Sequence, residues 1–160
     1  MSYAIVYSSK TGNTALLAQT LRQTLPEADC VYFGPPAPEA LEADTLYVGF
    51  WTYKGSCDGE MGAFLQQLTG QKVFLFGTAG FGGAPAYFEQ ILDRVRANLG
   101  PQVQIIGTYM CQGKMPQAVR SRYEAMEDSP RRTAMLENFD RALSHPDAQD
   151  LARLQAAVQR

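Results

Sequence analysis

The stretch Tyr3-Ala4-Ile5-Val6-Tyr7-Ser8-Ser9-Lys10-Thr11-Gly12-Asn13-Thr14-Ala15-Leu16-Leu17 decides the fold, because its pattern changes twice within fifteen residues. Tyr3 to Tyr7 is a short apolar run rich in β-formers and reads as a strand. From Thr14 to Leu25, Leu16, Leu17, Leu21 and Leu25 recur at helical spacing. Between them, Ser8 to Thr14 packs four hydroxyls, the amide of Asn13 and Gly12 into seven residues. The first amides of a helix lack partners within it, point outward and carry the positive end of the helix dipole. Hydroxyls add donors, and glycine lets the backbone approach a ligand closely. An ordinary helix start needs one capping side chain. This turn holds several and so reads as a seat for an anion, with Lys10 beside it rather than as the main ligand. Neither GxxxxGK[ST] nor GxGxxG is present there. A C-x5-R phosphatase loop is excluded as well, since the sixth residue after Cys111 is Gln117.

Further strands are expected at Asp29 to Phe33, Thr45 to Trp51, Lys72 to Gly77 and Gln102 to Met110. Gly34-Pro35-Pro36 ends the second of the five. Helices are expected at Gly59 to Leu68, Pro85 to Leu99, Gln117 to Glu127, Arg131 to Ala142 and Asp147 to Val158, with Pro130 and Pro146 marking breaks. Strands alternating with helices imply βαβ units with right-handed crossovers and a parallel sheet covered on both sides. Five strands favour an α/β, doubly wound sheet of order 2-1-3-4-5 with helices on both faces. Ligands of such sheets lie beyond the strand C-termini, at the switch between strands 1 and 3. The expectation is one domain over residues 1–160, with a C-terminal helical extension from about 130 to 160.

Composition narrows the function classes. A 46% apolar chain of 160 residues can bury a substantial core. Its net charge of −2, from 14 basic and 16 acidic residues well mixed along the sequence, gives no nucleic-acid footprint. Cys30, Cys57 and Cys111 lie far apart, and His145 is the single histidine, so a structural zinc or iron–sulfur site is not expected. The opening residues lack the basic and apolar regions of a signal segment, so none is expected, and no apolar run approaches the roughly 20 residues of a membrane span. A cytoplasmic protein with reduced thiols is expected.

With strand order and turn in place, (S/T)xTGNT directly after the first strand resembles the FMN phosphate loop of flavodoxins. The length and continuous fifth strand are similar to the short-chain type. The resemblance implies that Ser9, Lys10, Thr11, Gly12, Asn13 and Thr14 hold the FMN phosphate, with Ser8 at the edge. A response regulator shares the fold but needs carboxylates where these hydroxyls stand.

The loop after the third strand contains Trp51, Thr52, Tyr53, Lys54 and Gly55, and strand alternation puts Trp51 and Tyr53 on one side. Aromatic faces hold a flat flavin and tune its potential. By the resemblance, one of the pair stacks on the ring and the Lys54–Gly55 peptide turns its carbonyl toward it. Lys54 replaces the small or acidic residues usual there, and a cation so placed favours reduced anionic flavin and raises the potential. After the fourth strand, Gly77 to Pro85 holds four glycines in nine positions. Thr78, Ala79, Gly80, Phe81 and Gly82 are its candidate contacts to the pyrimidine edge, with Phe81 as a second ring face. Tyr109 to Pro116 either lines the flavin, presents a partner surface or simply connects strand to helix. Cys111 is read as a small hydrophobe and His145 as surface loop.

The function implied is that of a monomeric electron carrier between a donor reductase and an acceptor oxidoreductase, working with neither nucleic acid nor membrane. Docking through apolar contacts such as Met110 and Met115 is expected, because a charge of −2 is weak for the acidic face common in flavodoxins. Two alternatives stand beside it: an FMN-dependent NAD(P)H:quinone or flavin reductase, and a flavin-binding accessory subunit of a dedicated reductase.

Overall fold

A computed structural model describes residues 1–82 and 84–159; Gly83 of the glycine-rich loop and Arg160 lie outside the described residues. The elements are β1 (Tyr3–Tyr7), α1 (Asn13–Thr24), β2 (Cys30–Gly34), β3 (Thr45–Trp51), α2 (Gly59–Leu65), β4 (Lys72–Ala79), α3 (Pro85–Arg96), β5 (Gln104–Gln112), α4 (Gln117–Glu124), α5 (Pro130–Ala142) and α6 (Ala148–Val158). The strands pair in parallel in the order β2-β1-β3-β4-β5, as expected.

Period-two alternation along apolar strands feeds both faces of the sheet. Val6, Val48, Val73 and Leu75 meet Met61 and Leu65 of α2 and Ile91, Leu92 and Val95 of α3 on one side. Ile5, Phe74 and Phe76 meet Leu17 and Leu21 of α1 and Leu154 of α6 on the other. Each leucine fully buried this way contributes about 1.5–3 kcal/mol.

Boundaries depart from expectation where pairing or local bonds override propensity. β4 continues through Thr78 and Ala79, which pair with Cys111 and Gln112, so both residues belong to the sheet rather than to the loop. β5 accordingly starts two residues later and ends two later. The expected helices over-run at Leu68, Leu99 and Glu127, each ending in a tight final turn. Two short 3₁₀ turns, Glu27–Asp29 and Pro38–Glu42, were not anticipated, being closed by local bonds such as Asp29 N–H to Pro26 O and Ala40 N–H to Ala37 O that leave no periodic signal.

Helix α6 packs on α1 and β5, completing one face. Helices α4 and α5 pack on each other instead. Arg132 of α5 holds the end of α4 by donating to the carbonyls of Tyr123 and Glu124, both at 3.2 Å. No helix among the described residues is long and apolar enough to cross a membrane.

Candidate functional site

A cleft of about 570 Å³ opens where β1, β3, β4 and β5 end. Lys10, Thr11 and Asn13 line it from the turn before α1; Trp51, Thr52, Tyr53, Lys54 and Gly55 from the loop after β3; Thr78, Ala79, Gly80 and Phe81 from the end of β4. Segments far apart in sequence therefore meet at the switch point that the strand order marks.

The turn before α1 divides its polar groups. Gly12 is the N-cap residue, at φ 90°, a left-handed conformation suited to glycine, and no side chain on it caps the helix. The amide of Ala15 reaches Ser9 Oγ at 3.3 Å. Asn13 Nδ2 donates to the Lys114 carbonyl at 2.8 Å, and a Cβ on Gly113 would lie 2.5 Å from that same side chain, so glycine is what lets Asn13 reach the end of β5. Asn13 Oδ1 and Ser8 Oγ are buried with no partner in the protein. Thr14 is wholly buried and its hydroxyl bonds to Thr78 Oγ1 at 3.3 Å, tying α1 to β4. Ser8 and Ser9 face a second hollow with Tyr7, Pro35, Pro36, Asp58 and Glu60. Ser8, Ser9, Gly12 and Thr14 thus surround the cleft without lining it, and Gly82 stands off it against Gln112.

The aromatic loop is held from three sides. Trp51 Nε1 donates to Asp58 Oδ2 at 3.2 Å, and Asp58 Oδ1 also caps α2 by accepting from Met61 N–H at 2.9 Å. Trp51 and Tyr53 meet edge to face, with ring centroids 5.4 Å apart. Thr52 anchors the strand end, both its amide and its hydroxyl donating to the Thr78 carbonyl. Tyr53 and Ser56 exchange two backbone bonds around Lys54 (φ 49°) and Gly55 (φ 81°), a tight two-residue turn. Lysine in the left-handed region is strained, and Arg94 Nη1 reaches the Gly55 carbonyl at 3.4 Å. Lys10 Nζ lies 5.2 Å from the Trp51 ring centre and Lys54 Nζ 5.3 Å from that of Tyr53.

The glycine loop is pinned rather than loose. Gln112 Nε2 and Asn138 Nδ2 both donate to the Gly80 carbonyl, at 2.9 and 3.0 Å, and Gln112 also donates to Asn138 Oδ1 at 3.1 Å.

The model of the family described as the flavodoxin domain matches residues 4–159. The chain belongs to that family. It is 41% identical over 176 residues to the flavodoxin-like domain-containing protein BilS of Clostridium symbiosum, covering 97% of this chain and 93% of that one. Among solved structures, a short-chain flavodoxin associated with a PDU bacterial microcompartment superposes with a TM-score of 0.56 at 18% identity, covering 89% of this chain and 97% of that one. A flavoprotein from Lactobacillus acidophilus NCFM in complex with FMN gives 0.54 at 12% identity, over 69% and 93% of the respective chains.

Relative to the expectations from sequence, this flavodoxin domain adds a wall to the cleft: Tyr87 of α3, then Gly113, Lys114, Met115 and Pro116 after β5, then Val119, Arg122 and Tyr123 of α4. Their i, i+3, i+4 spacing on α4 was visible, but nothing in sequence said which way that face turned. The segment after β5 does line the site. Met110, expected beside Met115 at a docking surface, is half-buried and packs against the core on the α2 and α3 side of the sheet. Burial pushes the Cys111 thiol up to about 12, which suits a packing residue and not a reactive one. His145 Nδ1 lies 2.6 Å from Asp150 Oδ2 at the start of α6.

Proposed function

We propose that the cleft holds FMN and that the protein carries electrons between a donor reductase and an acceptor oxidoreductase. The observation that carries this reading is the convergence of the α1 turn, the aromatic loop and the pinned glycine loop on one cleft at the switch point. In it, Ser9 to Thr14 receive the phosphate through amides, hydroxyls and the Asn13 side chain, with Ser8 at the edge. Trp51 or Tyr53 and Phe81 offer ring faces, and Thr78 to Phe81 the polar edge. The buried, unpartnered Ser8 Oγ, whose hydroxyl can donate to an anion, and the N-cap Gly12, which offers no capping side chain, fit such a group, since buried polar atoms are normally satisfied. FMN, when bound, supplies transfer of one or two electrons. Lys10 and Lys54 would then place positive charge beside the ring and favour its reduced, anionic forms. The FMN complex of the Lactobacillus flavoprotein supports the cofactor through shared fold. The protein is read as a cytoplasmic monomer, in keeping with its free cysteines.

A titration with FMN followed by visible spectroscopy tests the reading: flavin absorbance retained after desalting is expected, and a protein that stays colourless overturns it. Mixing the loaded protein with NAD(P)H alone separates carrier from reductase. No bleaching without an added reductase is the carrier's result, and rapid bleaching favours an FMN-dependent NAD(P)H:quinone or flavin reductase.

A further inference from the structure

We infer that the mouth of the cleft docks an acidic face of the protein's redox partner. The inference rests on the carrier reading, that the partner exchanges electrons at this cleft, and counts among its cations Lys10 and Lys54, which that reading also sets beside the flavin.

Lys10, Lys54, Lys114 and Arg122 all line the cleft, and all four are exposed. Among the described residues the lining contains no Asp or Glu, and none of the four forms an ion pair. Several neighbouring carboxylates are engaged elsewhere. Asp58, behind Trp51, accepts from the indole and from the α2 amide. On α4 and α5, Glu124 and Asp140 are both held by Arg120. On α3, Glu89 and Asp93 are both held by Arg96. Arg120 and Arg122 thus sit two residues apart with opposite fates: one closes the α4–α5 contact, the other faces the cleft unpaired. Lys10 and Lys54 rest only on aromatic faces, contacts worth about 0.5–1 kcal/mol when exposed and easily exchanged for an anion.

The chain's charge of −2 conceals this segregation. Setting aside four cations at the mouth leaves −6 for the rest of the molecule. A negative body with a positive mouth orients an incoming partner by its field and repels one whose docking face is basic. The four cations come from four segments spread around the opening and stay exposed, a layout that meets an extended acidic surface better than one small anion, which would be gripped by converging, buried groups. Within the ring of charge lie Tyr53, 44% exposed, and Phe81, 38% exposed, with Met115 and Val119 half-buried. An apolar centre with a charged rim is the usual anatomy of a protein interface.

The test titrates the protein, with and without FMN, with short poly-glutamate and poly-lysine peptides at low and physiological salt, reading the fluorescence of Trp51. Binding of poly-glutamate that weakens with salt, with no binding of poly-lysine, is expected. The Lys114→Gln/Arg122→Gln protein should bind poly-glutamate roughly 2- to 30-fold more weakly, two exposed charge pairs being lost, with a smaller fall in FMN affinity than in peptide affinity. Absence of poly-glutamate binding, or equal binding of poly-lysine, overturns the inference. So does displacement of the peptide by equimolar inorganic phosphate or succinate, which would mark a small-anion site. An equal fall in FMN affinity in the double variant overturns it too, because the cations would then serve the cofactor. Failure of the flavin reading is seen separately, as no FMN uptake by the unsubstituted protein.

Discussion

Helix α6 begins with a closed circuit. Asp147 accepts from the Asp150 amide at 2.9 Å, Asp150 accepts from the Asp147 amide at 2.9 Å, and His145 Nδ1 lies 2.6 Å from Asp150 Oδ2. Helix α1 begins with more polar side chains and closes less. Its N-cap residue is Gly12, its first turn contains no acid, and two buried polar atoms beside it, Ser8 Oγ and Asn13 Oδ1, have no partner in the protein. Both starts are rich in groups that cap helices well. At α6 the chain uses them on itself, so that even a His, Asp, Asp cluster whose ligating atoms lie within 4.8 Å of one another is accounted for by helix capping. At α1 it turns several of them to distant segments, Asn13 and Thr11 to the Lys114 carbonyl and Thr14 to Thr78, and leaves the Ser8 hydroxyl for a ligand to engage.

That contrast can be broken by exchanging the consequences of mutation. Asn13→Ala should weaken FMN binding roughly 10- to 100-fold, the loss of a hydrogen bond worth about 1.5–3 kcal/mol to a charged group. Fluorescence titration measures it, and an unchanged affinity would erase the distinction between the two starts. Asp150→Ala, at α6, should cost about 1–3 kcal/mol in denaturant unfolding, since it leaves the Asp147 amide without its acceptor, while FMN affinity stays within about twofold.

Acid sharpens the comparison further. The backbone bond from Asp150, helped by His145, holds the Asp147 carboxyl below its usual range. A depressed carboxylate adds stability that is fully present above about pH 3.9 and is lost as pH falls through the lower folded value. The acid limb of the stability curve should therefore flatten in Asp147→Asn, whereas substitutions at Ser9 or Thr11 should leave that limb as it is. The smallest effect is expected from Ser8→Ala. Removing an unpartnered buried hydroxyl should leave the FMN-free protein equally stable or stabilise it by up to about 1 kcal/mol, against the ordinary cost of truncation.

The strand order and the three loops of the site were legible because their signals are local: the VFLF run of β4, the hydroxyl-rich turn, the Trp51 and Tyr53 pair at period two. What was not legible depended on which way a face turned. Nothing along the sequence marked Thr14 as buried against Thr78, or separated Met110, half-buried against the core, from Met115 in the cleft. Charge was the least legible property. Lys10, Lys54, Lys114 and Arg122 are dispersed through the chain and become a group only when β5 and α4 fold alongside the β1 and β3 loops.

The bonds that Gln112 and Asn138 make to the Gly80 carbonyl carry a consequence for engineering. The loop after β4 is not a cassette: its backbone is fastened to a strand and to a helix that lie thirty and more residues further along. A chimera that imports another flavodoxin's residues 80–82 without the matching α5 would leave Asn138, 8% exposed, facing the wrong backbone. Transplants in this domain should therefore move the loop and the α4–α5 hairpin together, as one heritable block.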